Sequence, residues 1–100
     1  MDPPLHCQSL ETKPHAALRM YERDITREEV ETAVATGKLI KSYPTDRPFP
    51  SYLFLAFPGG RPLHLLLAHD AVRHHCLVIT VYEPDPTKWT PDFTQKIDTA

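Results

Sequence analysis

The stretch "ITREEVETAVATGKLIKSYP" (residues 25–44) decides the fold, because its periodicity changes halfway along. Before Gly37 the apolar residues recur at helical spacing, and Val30, Ala33 and Val34 form one stripe. After Gly37 the sequence "KLIKSYP" has the character of a β-strand. The stretch therefore predicts a helix that is followed directly by a strand.

Both ends of this helix carry sequence signals. Thr26 is an N-cap candidate with Glu29 three residues later, which is the pattern of a capping box. Ile25 and Val30 occupy the two positions of a hydrophobic staple around the same cap. Gly37 suits the left-handed position that commonly ends a helix. We therefore expect the helix to begin just after Thr26 and to end at Gly37.

The upstream segment "HAALRMYER" predicts an earlier helix that begins near His15 and ends around Arg23 or Asp24. His15, Arg19 and Arg23 lie four residues apart, and each step of four drifts only about 40° around a helix. These three side chains would form one ridge. The ridge is either a face that binds an anion or the solvated edge of an amphipathic helix.

Three further strands are predicted after the first one at residues 38–44. They are "SYLFLAF" (51–57), "LHLLLAH" (63–69) and "CLVITVYEP" (76–84), with the last expected to be central. Short turns such as "PGGRP" join them. The predicted fold class is α+β, with two N-terminal helices packed on one face of a four-stranded, mainly antiparallel sheet. Trp89 is expected to pack back on this sheet.

The composition is that of one soluble domain. The chain has 100 residues, 41% of them hydrophobic, and we expect a flexible arm over residues 1–13 and a single domain over 14–100. The net charge of −2 argues against a strong nonspecific nucleic-acid binder. Neither a membrane span nor a signal-peptide pattern is seen, which predicts a cytoplasmic protein without a membrane partner. Cys7 and Cys76 are expected to be free thiols.

Alternation along the strands groups polar residues by face. In the last strand, one face would carry Leu77, Ile79 and Val81, and the other Val78, Thr80 and Tyr82. In the preceding strand His64 alternates with leucines. If these two strands pair, His64, Thr80 and Tyr82 converge on one face.

Two common kinds of catalytic site have weak support in this sequence. The chain has six histidines, but His69, His74 and His75 lack the fixed spacing of a metal site. No nucleophile stands in a recognisable activated setting, and "PGGRP" precedes a strand and not a helix, unlike a phosphate-binding loop. The sequence therefore predicts neither a metal nor a cofactor.

The remaining constellation has the residue types that metal-independent RNA cleavage needs. The candidate catalytic residues are His15, Arg19, Arg23, His64, Thr80 and Tyr82. Histidine transfers protons near neutral pH, arginine binds phosphate, and hydroxyl groups orient it. The structural alternative is that the arginines pair with nearby carboxylates and that His64 is a half-buried, hydrogen-bonded histidine. Which residue would be the acid and which the base stays open.

The segments "HAALRMYERDITREEV", "GRPLHLLLA" and "VITVYEPDPTKW" together resemble the bacterial family called domain of unknown function 4258, over roughly residues 15–89. This resemblance implies a toxin-like protein, because members are often encoded beside a zinc-finger protein similar to the antitoxin of MqsR-type ribonuclease toxins. The predicted order of two helices followed by four strands is also similar to the RelE-like toxin architecture. Together these likenesses imply an RNase that acts on messenger RNA. One departure is the C-terminal sequence "DFTQKIDTA", which lacks the basic stretch seen in the family.

Two classes of function therefore remain. The first is the toxin-like member of a type II toxin–antitoxin pair, possessing metal-independent ribonuclease activity and having a zinc-finger antitoxin and RNA as partners. The second is a non-enzymatic protein-interaction module. Replacing His64 by Ala is expected to abolish activity with little loss of stability in the first class, and to lower stability and partner binding in the second. The sequence leaves the oligomeric state undetermined.

Overall fold

The structure is a computed structural model that describes residues 7–97. The elements, in chain order, are β1 (Ser9–Thr12), α1 (Pro14–Glu22), α2 (Arg27–Thr36), β2 (Lys38–Tyr43), β3 (Ser51–Ala56), β4 (Leu63–Asp70) and β5 (His75–Tyr82). The strands form one sheet in the order β1-β5-β4-β3-β2. Among the described helices, none combines the length and apolar character needed to cross a bilayer.

The predicted α+β class is confirmed, but the sheet has five strands and is mixed. The additional strand, β1, pairs in parallel with β5, whereas the other three neighbouring pairs are antiparallel. It lies within the segment predicted as an arm, whose residues 1–6 lie outside the described part of the chain. β4, and not β5, is the middle strand. Four exposed residues without alternation gave no strand signal, so β1 was missed.

The prediction that both cysteines are free thiols was wrong, because Cys7 and Cys76 form a disulfide. The parallel register sets Leu10 beside Cys76, which brings the chain just before β1 close to the start of β5. The two Cα atoms lie 5.4 Å apart, within the usual range for a disulfide. This proximity depends on a strand pairing between residues 69 positions apart, which the local sequence does not indicate.

Both helices cover the same face of the sheet, as predicted. One buried cluster contains Ala16 of α1 and Val30 and Ala33 of α2, together with Leu63 and Leu65 of β4. Since these leucines are two residues apart, they point to a single face of β4. The other face, on which His64 lies, is therefore not covered by a helix.

The ends of α2 show which capping signals were reliable. Thr26 and Glu29 form the predicted capping box, and Ile25 and Val30 are both buried beside it. Gly37, however, is extended, with φ −64° and ψ 144°, so the predicted left-handed conformation was wrong. A Cβ atom here would lie 2.6 Å from the Ala33 carbonyl oxygen and 3.0 Å from Cβ of Phe54. Steric space, and not backbone conformation, therefore favours glycine at this position.

A β-bulge changes the alternation along β5. Thr80 lies opposite Leu66 while Val78 lies opposite Leu67, so β5 carries one extra residue at Ile79. Val78 consequently faces the core cluster together with Val81. The prediction that Val78 shares a face with Thr80 was wrong for this reason. The predicted grouping of Thr80 with Tyr82 is correct, since they oppose β4 residues of the same face.

Candidate functional site

His64 lies on the face of β4 opposite the helices, yet its side chain is fully buried. The C-terminal segment after β5 covers it, and the Trp89 ring meets it edge-on with 4.3 Å between ring centroids. Nε2 donates a hydrogen bond to the Phe93 carbonyl oxygen at 2.8 Å. Because a carbonyl only accepts, Nε2 carries the proton in the neutral ring and Nδ1 is left as an acceptor. Burial lowers the pKa of His64, and the Phe93 hydrogen bond only partly opposes this effect.

Tyr82 is the residue directly opposite His64 in the β4–β5 pair. Its hydroxyl lies 3.2 Å from Nδ1 of His64 and donates a hydrogen bond to that nitrogen. Burial raises the pKa of Tyr82, Tyr43 acts in the same direction, and the positive charge of Arg23 opposes both. The two residues form a tyrosine–histidine pair, in which the phenol of Tyr82 carries the shared proton and donates it in a hydrogen bond to the neutral imidazole of His64.

Arg23 forms the C-cap of α1, and its side chain reaches β5. Its Nη1 donates to the Val81 carbonyl oxygen at 3.0 Å. β1 pairs with β5 only as far as Val78, so the Val81 carbonyl lies beyond the end of β1. Arg23 thus reaches the part of β5 that carries Tyr82, which explains its effect on the pKa of that phenol.

Thr80 and Tyr82 line a cavity of about 570 Å³ on the face away from the helices. Tyr43 of β2 and Trp89 of the C-terminal segment add two further aromatic rings, and Leu53 belongs to its apolar lining. Two lysines, Lys41 and Lys96, also line the cavity, and none of its described lining residues is acidic. We name this space the tyrosine cavity.

The C-terminal segment that closes the tyrosine cavity is held by its own hydrogen bonds. Trp89 and Lys96 form an antiparallel bridge, and the Thr90 amide donates to the Gln95 carbonyl oxygen. Asp92 accepts hydrogen bonds from the hydroxyls of Thr90 and Thr94, which lower its pKa. This hairpin is anchored to the sheet through His64. The prediction that Trp89 packs back on the sheet is confirmed.

His15 and Arg19 lie on α1, and neither lines the tyrosine cavity. His15 is exposed, and Arg19 forms an ion pair of 2.7 Å with Glu22. The structure therefore brings His64, Thr80 and Tyr82 together, adds Arg23 at the edge of β5, and leaves the other two members of the ridge on the helix surface.

Apart from Thr80 and Tyr82, the lining residues of the cavity were not among the predicted site residues, and those with a charge or an aromatic ring are Lys41, Tyr43, Trp89 and Lys96. Alternation along β2 places Lys41 and Tyr43 two residues apart, which is the signal that places them on one face. The position of Lys96 depends on the C-terminal hairpin folding back over the sheet, and no local pattern indicates this.

Comparison with known proteins places the chain in a family. The profile of the family described as Domain of unknown function (DUF4258) matches residues 12–83. No curated protein and no solved structure matches the chain, so the resemblance to a RelE-like architecture stays a prediction. The family match extends from the end of β1 to just after β5 and includes His64, Thr80 and Tyr82. The chain belongs to the DUF4258 family.

Proposed function

We propose that this chain is the toxin-like member of a type II toxin–antitoxin pair and cleaves RNA without a metal ion. The observation that carries the proposal is the tyrosine–histidine pair. Tyr82 lines the tyrosine cavity, and its hydroxyl donates a hydrogen bond to the buried, neutral His64. A buried imidazole behind a phenol is suited to take up its proton during a reaction.

The proposed reaction begins when the 2′-hydroxyl oxygen of a ribose attacks the adjacent phosphorus and the bond to the 5′-oxygen breaks. The products are a 2′,3′-cyclic phosphate and a 5′-hydroxyl. The 2′-hydroxyl proton passes to the Tyr82 oxygen while Tyr82 transfers its own proton to Nδ1 of His64. An ammonium group at the cavity, of Lys41 or Lys96, protonates the leaving oxygen.

Charge at the cavity supports this chemistry. Lys41 and Lys96 line the space in which the phosphate would sit, and the Thr80 side chain offers a hydroxyl donor. Arg23 places a further positive charge near the Tyr82 phenol, where it opposes the effect of burial on the pKa of that phenol and so eases loss of its proton to His64. His15 and Arg19 receive no step in the reaction. Their ridge on α1 would instead contact the RNA backbone.

The biological setting in this proposal is what the resemblance to toxin-like proteins implies. A zinc-finger antitoxin would be the protein partner and single-stranded messenger RNA the substrate. The two helices on one face of the sheet are consistent with the RelE-like architecture proposed for the fold. Each of these statements stands on the resemblance, whereas the catalytic residues stand on the geometry.

The test is incubation of the purified protein with labelled single-stranded RNA in excess EDTA. Tyr82→Phe is the decisive variant, because it removes the proton-transferring oxygen and keeps the ring. Tyr52→Phe is the matched control, since Tyr52 packs against the core cluster on the other face. Cleavage by the parent and by Tyr52→Phe, but not by Tyr82→Phe, is expected. Equal cleavage by all three proteins would refute the assignment of Tyr82.

The second candidate is a non-enzymatic interaction module, and one observation favours it. A second cavity of about 560 Å³ lies between β1 and the two helices, and Leu10, Met20 and Ile25 contribute to its apolar lining. Tyr21 at its rim is 86% exposed. In this case the purified protein cleaves no RNA, and Tyr21→Ala weakens the binding of a co-purifying protein partner while the thermal stability stays unchanged.

A further inference from the structure

The walls of the tyrosine cavity carry two similar pairs of side chains. On β2, the Lys41 ammonium lies 5.4 Å from the centroid of the Tyr43 ring. On the C-terminal hairpin, Trp89 and Lys96 are bridge partners and therefore neighbours across the hairpin. Each wall thus presents an aromatic ring next to a positive charge.

This arrangement matches a ligand that combines a flat ring with an anion a few ångströms away. The protein carries a net charge of −2, yet the described residues of the cavity wall include two lysines and no carboxylate. The volume of about 570 Å³ lies within the range of about 300–1,000 Å³ that is typical of small-molecule sites. Stacking on aromatic rings together with lysine–phosphate contacts is how proteins hold unpaired nucleotides.

We infer that the tyrosine cavity binds one unpaired nucleotide, with the base against Trp89 and Tyr43 and the phosphate at Lys41 and Lys96. This inference deepens the proposed function and rests on it for the identity of the substrate as RNA. The family match ends at residue 83, so Trp89 and Lys96 belong to a segment beyond it. Binding strength is therefore set in part by a hairpin outside the matched region.

The experiment uses Trp89 as the probe, since it is the only tryptophan in the chain. Adenosine 3′-monophosphate is titrated while tryptophan fluorescence is recorded. It is a phosphate monoester and therefore has no phosphodiester bond that the protein could cleave. Equilibrium dialysis of the radiolabelled nucleotide measures binding independently of fluorescence. Inorganic phosphate and adenosine are titrated separately, which gives the affinity of the cavity for each of the two parts of the nucleotide.

We expect saturable binding of the nucleotide at a concentration at least tenfold below that needed for phosphate or adenosine alone. Lys41→Met and Lys96→Met should each weaken binding by about tenfold, which corresponds to the loss of one charge-assisted contact. Lys13→Met is the control, because Lys13 precedes α1 and its side chain caps no helix. It should bind the nucleotide like the parent.

Three outcomes overturn the inference: no saturable binding by dialysis, phosphate binding as tightly as the nucleotide, or equal affinity in the parent and both lysine variants. These results are distinguishable from failure of the proposed function. Nucleotide binding that depends on the lysines, without RNA cleavage, would support the nucleotide site and refute the ribonuclease activity. RNA cleavage without mononucleotide binding would support the ribonuclease activity and refute the nucleotide site.

Discussion

The hydroxyl of Tyr82 and Nδ1 of His64 lie 3.2 Å apart across the β4–β5 pair, with the imidazole buried and the phenol at a cavity wall. This relationship separates two roles that the sequence could not separate. Tyr82 can meet a ligand directly, whereas His64 acts on a ligand only through Tyr82.

Replacing Tyr82 with Phe should lower the rate of RNA cleavage by about 10²–10⁴-fold, the usual contribution of one proton-transfer group. The free energy of unfolding should fall by only about 1–3 kcal/mol, the cost of leaving the buried Nδ1 of His64 without its donor. A cleavage assay and a melting curve on the same preparation check both statements. A large drop in melting temperature with retained cleavage would mean that the phenol is only structural.

Replacing His64 with Ala should lower the free energy of unfolding by about 3 kcal/mol, because it leaves a cavity and removes the donor to the Phe93 carbonyl. Urea denaturation measures this value. The expectation from sequence, that this variant would lose activity with little loss of stability, does not fit a fully buried side chain. For that reason Tyr82→Phe discriminates between the two classes of function better. Unchanged stability of His64→Ala would contradict the packing described for the C-terminal hairpin.

The stability of the protein should decrease as the pH falls below about 6.5. Burial lowers the pKa of His64 in the folded state from its ordinary value of 6.5. Between these two pKa values the unfolded chain binds a proton that the folded chain does not, so the free energy of unfolding rises with pH there. Urea denaturation at several pH values should show this rise of the free energy of unfolding with pH in the parent and not in His64→Gln. The same pH dependence in both proteins would show that a group other than His64 causes it.

A second loss of stability should appear at lower pH. Glu29 accepts a hydrogen bond from Arg61, which lowers the pKa of that carboxyl below its ordinary value of 4.5. Glu29 therefore binds a proton less readily in the folded state than in the unfolded chain. The stabilisation that results is lost as the pH falls below 4.5. Glu29→Gln should reduce the slope in this range and leave the slope near pH 6 unchanged. An unchanged slope below pH 4.5 would count against the ion pair.

Replacing Gly37 with Ala should destabilise the fold by about 1–3 kcal/mol, the usual range for overpacking. At φ −64° this substitution would otherwise stabilise the protein, by about 0.4–1 kcal/mol, because it restricts the unfolded chain. Contacts of the new Cβ atom with the Ala33 carbonyl and with Phe54 reverse the sign. Denaturation with urea measures the change, and a more stable variant would show that these neighbours move aside easily.

Opening the disulfide between Cys7 and Cys76 should lower the free energy of unfolding by about 2–4 kcal/mol. The bond closes a loop of 69 residues, which restricts the unfolded chain. Cys7→Ser and the parent under reducing conditions should show the same lower melting temperature. Two titratable thiols in the untreated folded protein would show that the cysteines are not bonded in solution.

Local signals predicted the parts of the fold that depend on neighbouring residues. The start of α2 follows from Thr26 and Glu29 alone, and the alternation of His64 with leucines correctly placed it on the face of Tyr82. The bulge at Ile79 was not predicted, because it arises from the match between two strands.

The larger omissions depend on contacts between distant residues. Both β1 and the disulfide require the first strand to reach the last one. The burial of His64 and the position of Lys96 both require the C-terminal hairpin to fold back over β4. Alternation correctly grouped Thr80 with Tyr82 on one face, but no local pattern indicated that the C-terminal hairpin supplies one wall of the cavity that they line.

The pairing of β1 with β5 also has a consequence for how the protein is made. Of the five described strands, β1 is synthesised first, and its neighbour in the sheet, β5, is synthesised last. Such non-local pairing is slow to form, and the residues that join the two strands include the whole of the helical layer. The five-stranded sheet, and with it the position of Tyr82, therefore arises only after β5 has been synthesised. A toxic activity located there would stay absent from a growing chain that has not yet reached β5.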